Sequence, residues 1–377
     1  MINPKKKKKV KMKSIDYILF YTILVLLAIG IIMVYSASSY YSMNETGSST
    51  SYLKKQLLAT VLELIAMAVT MSIDYHKLKK IVWIAYIVTA PLLLLVKAFP
   101  AVKGAQRWIM LGPLSFQPSE LAKYVLVILL AVILAGKGEQ IKEFKKGVLV
   151  PLGFAFFYAL LVIIQKNLSI TVVIVAVAFV MLFCAGAKIK HLFGYVFPVL
   201  LAGVAALAVL EPYRMKRLMN FTDPFQSAAD EGYQLVQSFY ALGAGGFSGL
   251  GLGQSRQKTM YMPEPHNDFI FSIIGEELGF IGCFVIILLF LLLIWRGIKT
   301  AFDAKDMLGK LMATGITSVI AFQAIINIAV VTGSMPVTGV PLPFISYGGT
   351  SLLITLSAMG ILLNISRQKN VEEQTII

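Results

Sequence analysis

Long apolar runs, separated by short polar connectors, set the pattern of this chain. An α-helix needs about 20 mostly apolar residues to cross the hydrocarbon core of a membrane. The first run, Tyr17–Tyr35, follows a tail with seven lysines. It is too long for the apolar part of a typical signal peptide, which predicts an uncleaved first helix. Further runs of spanning length lie at 54–73, 81–98, 118–136, 147–164, 168–186, 191–210, 268–295, 311–332 and 350–366.

The charges in the connectors predict how these helices are oriented. Basic residues are concentrated in every second connector, and such connectors stay on the cytoplasmic side of a membrane. We therefore predict an all-α polytopic integral membrane protein of about ten transmembrane helices, with both termini cytoplasmic. Its parts are a basic tail at 1–15, one membrane domain at 16–366 with a large extracytoplasmic loop at 211–266 before the eighth helix, and a second tail at 367–377. The basic connectors are His76–Lys80, Lys137–Lys146, Lys188–His191, Arg296–Lys310 and Arg367–Lys369.

Composition supports a membrane protein and excludes several function classes. The chain is 58% hydrophobic and 14% charged, with a mean hydropathy of +0.78, which is not typical of a soluble domain. Its net charge of +15 is divided among short connectors, which is an orientation signal and not a nucleic-acid surface. Cys184 and Cys283 both lie in apolar runs, so free thiols are expected. Three scattered histidines without a Cys/His cluster argue against a transition-metal site.

Three loops on the outer side carry most of the sequence complexity. They span 99–117, 211–266 and 333–349, and their proline and glycine residues prevent regular helix through much of their length. Irregular backbone near a membrane is tolerated only against protein or water. A cavity that opens to the outer face is therefore expected.

Three acids lie where the long outer loop meets the next apolar run. Asp268 is predicted about one residue inside the start of a membrane helix, with Glu276 ~12 Å deeper and Glu277 on the opposite face. Carboxylates inside a membrane segment are costly and mark functional sites. Two interpretations of Asp268 remain open. It caps the helix N-terminus, or it is a functional carboxylate, which the cations of the preceding loop favour.

A charged pair and a set of cations complete the candidate chemistry. Glu120 and Lys123 are one turn apart in an apolar helix and can pair, either as a structural ion pair or with a direct role. The cations of the long loop suit a phosphate or diphosphate group, although each one alone also suits a solvated rim. These cations are Arg214, Lys216, Arg217, Arg256 and Lys258.

Two other kinds of site are excluded by their own requirements. The segment GAGGFSGLGLGQS at 243–255 lacks the lysine and the strand–helix context of a nucleotide loop, and its glycines indicate tight backbone packing. The carboxylates of a glycosidase pair lie roughly 5–9.5 Å apart, closer than Asp268 and Glu276 are expected to be. One carboxylate base beside several cations instead suits a transferase that acts on a diphosphate-activated sugar.

Several long motifs resemble the SEDS family (shape, elongation, division, sporulation), bacterial membrane proteins that polymerise lipid II into peptidoglycan glycan strands. The resemblance covers nearly the whole chain, and the forms PEPHNDFIF and NIAVVTG are closer to the FtsW and SpoVE branch than to RodA. One departure is Gln165-Lys166-Asn167-Leu168-Ser169-Ile170, where the family commonly reads Gln-Pro-Asp-Leu-Gly-Thr. The motifs are GAQRWIMLGPLSFQPSELAK (104–123), RLMNFTDPF (217–225), GYQLVQSFYALGAGGFSGLGLGQSRQK (232–258), YMPEPHNDFIFSIIGEELG (261–279) and TGVPLPFISYGGTSL (338–352).

The resemblance implies site residues and partners. It implies that Asp268 is essential for polymerisation and that Glu120 and Lys123 lie beside a central cavity. Lipid II would be the substrate, and the partners would be a class B penicillin-binding protein and other divisome or sporulation proteins. A role for a divalent cation stays open. The residues expected to bind substrate or line the cavity are Glu120, Lys123, Arg214, Arg217, Lys258, Glu276, His266 and Ser346.

The predicted function is therefore a peptidoglycan glycosyltransferase in which Asp268 activates the acceptor hydroxyl. Undecaprenyl diphosphate would leave, its charge held by loop cations such as Arg214, Arg217 and Lys258. Two alternatives use the same cavity: a flippase that transports lipid II, and a non-catalytic scaffold that recruits a transpeptidase. Polymerisation of labelled lipid II by the purified protein separates the three.

Overall fold

The computed structural model of the chain describes residues 14–101, 104–112, 114–210, 215, 221–227 and 232–368. These residues are mostly helical, with one short antiparallel hairpin of β1 (Ile109–Leu111) and β2 (Leu114–Phe116). We label the helices α1 (Tyr17–Thr46), α2 (Ser51–Ser72), α3 (Leu78–Leu95), α4 (Pro118–Ala135), α5 (Val150–Ile164), α6 (Leu168–Cys184), α7 (Phe197–Leu210), α8 (Tyr233–Gly245), α9 (Ile270–Phe302), α10 (Met307–Val331) and α11 (Gly349–Arg367).

The predicted all-α membrane class is confirmed. Among the described residues, eight helices are long and apolar enough to cross a membrane. Two shorter apolar helices, Leu168–Cys184 and Ile189–Gly203, coincide with two further predicted spans. The count of about ten spans stays a prediction. The chain is a multi-pass membrane protein.

The first helix is longer than its apolar run predicted. The prediction ended it at Tyr35, but α1 continues to Thr46 and ends at Gly47, whose positive φ of 70° lets its N–H bond to the Met43 carbonyl. The added segment is rich in serine, and Ser36, Ser38 and Ser42 are buried there. These polar residues therefore face protein, which is why an apolar-run criterion stopped too early.

Helix α10 lies at the centre of the fold. It packs against α4, α6, α8, α9 and α11, while α2 packs along α11 at one side. Close approach depends on small residues: a Cβ at Gly315 would lie 2.5 Å from Val127 of α4 and 2.8 Å from Met181 of α6. The core is therefore a packed bundle whose polar sites lie at its two ends and along a few buried helix faces.

One end of the bundle brings together residues near the first and last described positions and two of the predicted basic connectors, His76–Lys80 and Arg296–Lys310. The Asp16 N–H donates to the Ser366 hydroxyl at 3.1 Å, and Arg296 pairs with the Asp16 carboxylate. The His76 ring bridges Asp74 at 2.7 Å and Asp306 at 2.6 Å. The shared end agrees with the alternation of basic connectors, and the positive-inside rule predicts that it is cytoplasmic.

Helix α9 is broken at Gly279, which has φ 67° and ψ −164° inside the otherwise helical segment. The break frees two carbonyls and two N–H groups, and the glycine-rich loop after α8 returns beside α9 to pair with them. A buried backbone group without a partner is costly in a membrane, so this pairing permits an irregular loop at that depth. The bonds run from Leu250 N to Glu276 O (2.9 Å), Gly251 N to Glu277 O (3.0 Å), Phe280 N to Gly246 O (2.9 Å) and Ile281 N to Phe247 O (3.2 Å).

The predicted long loop at 211–266 thus contains a helix and a segment packed on backbone. Gly245 contacts the Gly275 carbonyl and Gly249 contacts the Glu277 carbonyl so closely that neither has room for a Cβ. The expectation that these glycines allow tight backbone packing is confirmed.

Candidate active site

Glu276 is fully buried and holds the loop that leads to Asp268. Its carboxylate accepts hydrogen bonds from the Ser255 hydroxyl, the Arg256 N–H at 2.9 Å and the Gln257 N–H at 3.3 Å. A buried carboxylate needs hydrogen-bond partners, and these three donors supply them. Glu276 therefore fastens the loop to α9. The sequence analysis expected its side chain in an open cavity, but the side chain is fully buried.

Glu277 is also fully buried and extends this fastening to α1. It accepts the Ser36 hydroxyl at 2.7 Å and the Ser255 N–H at 3.3 Å, and it pairs with Lys258 at 2.8 Å. We call Glu276, Glu277, Ser255, Lys258 and Ser36 the acid latch. The predicted position of Glu277 on the helix face opposite to Asp268 stays a prediction, and the loop at 255–258 contacts both Glu276 and Glu277.

Lys258 therefore has a partner that the sequence analysis did not foresee. Its ammonium group also donates to Ser36 at 3.2 Å, and the residue is 6% exposed. The charge of a buried cation is compensated when a carboxylate lies in contact with it. Lys258 is part of the acid latch, and its expected contact with a diphosphate stays a prediction.

Asp268 lies outside the helix that was predicted to contain it. Helix α9 begins at Ile270, and its N-cap residue is Phe269, whose side chain makes no capping bond. Asp268 is half-buried in the turn before the helix. Its position two residues before the helix corrects the sequence prediction and places the carboxylate at the end of α9 opposite to Arg296, the end that the sequence predicts to be the outer one.

The backbone around Asp268 is held by the last turns of α10 and by the loop between α10 and α11. Asn327 Nδ2 donates to the Asp268 carbonyl at 2.7 Å and to the Val340 carbonyl at 2.8 Å. The Ser346 hydroxyl donates to the Asn267 carbonyl at 2.8 Å, and the Tyr347 N–H donates to the His266 carbonyl at 2.9 Å. Ser346 was expected in the cavity. It links two of the three outer loops at the Asp268 turn.

Arg107 is a site residue that the sequence analysis missed. A Cβ built on the exposed Gly339 would lie 3.3 Å from Asp268 Oδ2 and 3.9 Å from Arg107 Nη1, so both side chains converge on this glycine. Arg107 Nη2 also donates to the Lys166 carbonyl. Its signal was an arginine in an outer loop, where the positive-inside rule disfavours one, but only the cations of the longest loop were considered.

Aromatic rings surround His266, the next residue but one before Asp268. Its ring centroid lies 4.8 Å from that of Tyr52, 5.5 Å from that of Tyr347 and 5.6 Å from that of Tyr41. His266 is 2% exposed. The ring is therefore packed in the wall beside the Asp268 turn, and the hairpin tip between α1 and α2 supplies two of its neighbours.

The predicted pair of Glu120 and Lys123 is confirmed. The ammonium nitrogen lies 2.9 Å from both carboxylate oxygens, and each residue is 2% exposed. The pair occupies the first turns of α4, directly after the β1–β2 hairpin. Thr350, in the first turn of α11, donates to the Ser115 carbonyl of that hairpin at 2.7 Å.

The altered motif at Gln165–Ile170 leads into α6. Asn167 is the N-cap of α6, and its side-chain oxygen accepts the Ile170 N–H at 3.4 Å. Asn caps helices about as well as Asp, so loss of the acid leaves the cap in place. The carbonyl of Lys166 holds Arg107, which connects this motif to the Asp268 turn.

Some predicted features cannot be placed, and others are absent from the described part of the chain. Arg214 and Arg217 lie outside the described residues. Within the described ranges, no group of three or more His, Cys, Asp or Glu side chains could hold a metal ion. Cys184 and Cys283 are free thiols, as predicted.

Comparison with known proteins now identifies the family. The family model FTSW_RODA_SPOVE, described as cell cycle protein, matches residues 16–371. The chain belongs to this family. It is 44% identical over 361 residues to stage V sporulation protein E of Bacillus subtilis (strain 168), covering 95% of this chain and 98% of that relative. It is 41% identical over 360 residues to a probable peptidoglycan glycosyltransferase FtsW of Geobacter sp. (strain M18), covering 94% and 98%.

Solved structures share the fold of this FtsW/RodA/SpoVE family member. A chain from a study of the structural coordination of polymerization and crosslinking by a peptidoglycan synthase complex matches with a TM-score of 0.79 and 28% identity, covering 94% of this chain and 98% of that one. The rod shape determining protein RodA of Thermus thermophilus matches with a TM-score of 0.69 and 26% identity, covering 95% and 98%. The family resemblance drawn from the motifs is therefore confirmed.

Proposed function

We propose that this family member is a peptidoglycan glycosyltransferase that polymerises lipid II, with Asp268 as its general base. The observation that carries the assignment is the position of Asp268: a half-buried carboxylate at the outer end of the bundle, outside the helix and beside Arg107 at Gly339. Relatives named as peptidoglycan glycosyltransferases align over nearly the whole chain. That likeness supports the reaction class.

In the proposed reaction the 4-hydroxyl oxygen of the acceptor sugar attacks the anomeric carbon of the donor, and Asp268 takes the proton of that hydroxyl. The new bond joins that oxygen to the anomeric carbon, and the bond from this carbon to the diphosphate oxygen breaks. A single displacement inverts the configuration at the anomeric carbon. General-base catalysis of this kind typically contributes ~10²–10⁴-fold to a rate.

The leaving undecaprenyl diphosphate carries the charge that the site must stabilise. Cations at the outer face suit this role, since a guanidinium can bind phosphate oxygens with two parallel bonds. We assign it to Arg107, whose side chain converges with Asp268 on Gly339, together with Arg214 and Arg217 of the long loop.

The proposed partner is a transpeptidase that crosslinks the new strands, of the class B penicillin-binding protein type. A solved structure with the same fold comes from a peptidoglycan synthase complex that couples polymerization and crosslinking. That likeness supports a partner of this kind in division or sporulation. The two termini and the basic connectors would then face the cytoplasm, and the Asp268 turn would face the compartment where glycan is made.

The test is polymerisation of fluorescent lipid II by purified protein in detergent, without and with the transpeptidase. Glycan ladders on a gel are expected in the presence of the partner and absent from a sample without this chain. A protein that moves lipid II across vesicles but forms no glycan would be a flippase. A protein that binds the transpeptidase but supports neither reaction would be a scaffold, and either result contradicts the proposal.

A further inference from the structure

Glu63 is a buried acid that the proposed reaction does not use. It lies on α2, twelve residues after the start of that helix, which places it ~18 Å below the outer end and near the middle of a hydrocarbon core about 30 Å thick. Its residue is 1% exposed. A charge at this depth is among the most costly features that a membrane protein can carry.

No donor or cation satisfies this carboxyl group within the described part of the chain. Neither oxygen of Glu63 has a hydrogen-bond partner there. The Thr60 hydroxyl, one turn nearer the outer face, interacts with it but is not in hydrogen-bond geometry. Buried polar groups almost always have partners, so an unpaired carboxyl group calls for a specific explanation.

The unpaired group belongs to a polar stripe. Gln56, Thr60 and Glu63 follow at i, i+4 and i+7 on the buried face of α2, and all three are 5% exposed or less. Gln56 Oε1 and Thr60 Oγ1 also lack partners within the described residues. The opposite face of α2 is exposed and apolar, including Leu58, Val61 and Leu62. The stripe therefore faces protein and points away from lipid.

The charged groups of the neighbouring helices lie too far along their axes to compensate Glu63. On α1, which packs beside α2, the acids are Asp16 and Glu45 at its two ends. On α11 the charged residue is Arg367, at its last position. The lysines of α2 itself, Lys54 and Lys55, are exposed and two or more turns nearer the outer face. Of the titratable rings of these elements, Tyr41 and Tyr52 lie in the cluster around His266. The others are exposed and face away from the buried stripe: Tyr17, Tyr21, Tyr35 and Tyr40.

A comparison with the other buried acids completes the argument. Asp16 pairs with Arg296, Glu120 pairs with Lys123, and the acid latch supplies donors to Glu276 and Glu277. Among the buried carboxyl groups of the described residues, Glu63 alone has no cation and no donor besides the nearby Thr60 hydroxyl. A carboxyl group without compensation in an apolar interior takes up a proton rather than remain charged.

We propose that Glu63 is a proton-binding site: a neutral carboxylic acid in the wall formed by α1, α2 and α11, with Thr60 and Gln56 as its polar neighbours. Loss of the proton would leave an uncompensated charge at mid-membrane and weaken the packing of α2 on α11. The site is separate from Asp268, and the inference does not depend on polymerisation.

The first test compares the pH dependence of unfolding for the wild type and Glu63→Gln, a neutral substitute of the same shape. An exposed glutamate releases its proton near pH 4.3, so a folded state that keeps the proton is favoured less as the pH rises above that value. The unfolding equilibrium of the wild type, relative to Glu63→Gln, should shift about tenfold per pH unit toward the unfolded state until Glu63 itself ionises. The measurement is chemical unfolding in detergent between pH 5 and 9.

Two results would overturn the proposal. Parallel profiles for both proteins would mean that Glu63 has the same charge in both states. If Glu63→Gln instead became less stable than the wild type as the pH rose, the ionised carboxylate of Glu63 would have to be compensated in the folded protein. Glu276→Gln is the matched control, because its carboxylate has three donors, and it should be less stable than the wild type throughout the neutral range.

A chemical probe gives an independent reading. Dicyclohexylcarbodiimide reacts with protonated carboxyl groups in apolar surroundings, and peptide mass spectrometry locates the adduct. The adduct is expected on Glu63, with less of it as the pH rises, and Glu120 and Glu276 should stay unmodified. Adducts on those two glutamates without one on Glu63 would contradict the proposal, and Glu63→Gln shows whether the modified peptide is assigned correctly.

Discussion

Asp268 and the two glutamates of the acid latch lie in one segment of the chain, but the glutamates are fully buried and Asp268 is half-buried. Glu276 and Glu277 are fully buried in α9. Each of their four carboxylate oxygens accepts a hydrogen bond from the loop or from α1. Asp268 is eight residues earlier, outside the helix and half-buried, with an arginine side chain beside it. The comparison teaches that position inside a membrane segment does not by itself mark a catalytic acid. A catalytic acid must also be accessible to its substrate.

The largest effect is expected from Asp268→Asn. The amide cannot accept a proton at neutral pH, so lipid II polymerisation should fall by ~10²–10⁴-fold. Stability should change little, because the turn is held by bonds to its backbone, from Asn327, Ser346 and Tyr347. Glycan ladders and thermal unfolding of the same preparation measure both quantities.

Asp268→Glu is the matched control for charge. It keeps a carboxylate but moves it by one methylene, so a small residual rate is expected, above that of Asp268→Asn. A fully active Asp268→Asn protein would remove the catalytic assignment and erase the contrast with the acid latch.

The acid latch should respond in the opposite way, through stability. Glu277→Gln leaves the Lys258 ammonium buried without a carboxylate, and an uncompensated buried charge of this kind typically costs ~3–5 kcal/mol. Adding Lys258→Met to it should restore part of the loss. Unfolding of the two single variants and the double variant in detergent provides the measurement. Equal and additive losses would show that the two side chains do not act as a pair.

The sequence predicts contacts between residues that are close along the chain better than contacts between distant segments. The apolar runs identify most helices because their burial is decided locally, and the spacing of Glu120 and Lys123 identifies their pair. The acid latch joins α9 to a loop that lies 19 to 22 positions earlier in the chain and to Ser36, which is 241 positions from Glu277. No local period reports contacts of this kind. The break at Gly279 lies in a segment that otherwise reads as a continuous helix. Arg107 was visible as an outer-loop arginine, but its convergence with Asp268 depends on Gly339, from a third loop.

A second buried pair tests whether the latch result is general. Removing one partner, by Glu120→Gln or Lys123→Met, should destabilise the protein by ~3–5 kcal/mol, and removing both should cost less than either alone. Folded yield and thermal stability of the three variants measure this. If the double variant loses the sum of the single losses, the 2.9 Å contact has no energetic coupling.

The break in α9 separates the latch from the lower part of the helix, so straightening it should loosen the latch. Gly279→Ala requires a residue with a Cβ to adopt φ 67° and ψ −164°, and that Cβ would lie 2.6 Å from the Phe247 carbonyl oxygen. Strain of this kind costs of order 1–3 kcal/mol. Thermal unfolding measures the loss. Gly243→Ala, in α8 and with open space around its Cβ, is the matched control and should be neutral or stabilising.

The smallest effect is expected at Asp306, an acid at the other end of the bundle that is neither catalytic nor buried. Partial burial alone would raise the pKa of Asp306, but hydrogen bonds from the Gly309 N–H and from His76 outweigh it and hold the pKa below its usual value. A carboxyl group with a lowered pKa stabilises the fold above about pH 3.9 and loses this contribution as the pH falls through its folded pKa. Asp306→Asn keeps the cap of α10 but loses the charge, and the group is 37% exposed, so the loss at neutral pH should be under ~1 kcal/mol.

The stability gap between wild type and Asp306→Asn should narrow below about pH 4 and close once the pH has fallen below the lowered pKa of folded Asp306, where both side chains are neutral. Thermal unfolding from pH 3 to 8 measures the gap, and Asp306→Ala, which also removes the cap, should be less stable than Asp306→Asn by about 1 kcal/mol at every pH. A loss at Asp306 as large as at Glu277 would mean that the number of hydrogen bonds, and not burial, sets the cost of removing an acid in this protein. The contrast between Asp268 and the acid latch would then need another explanation, because burial is the property that separates them.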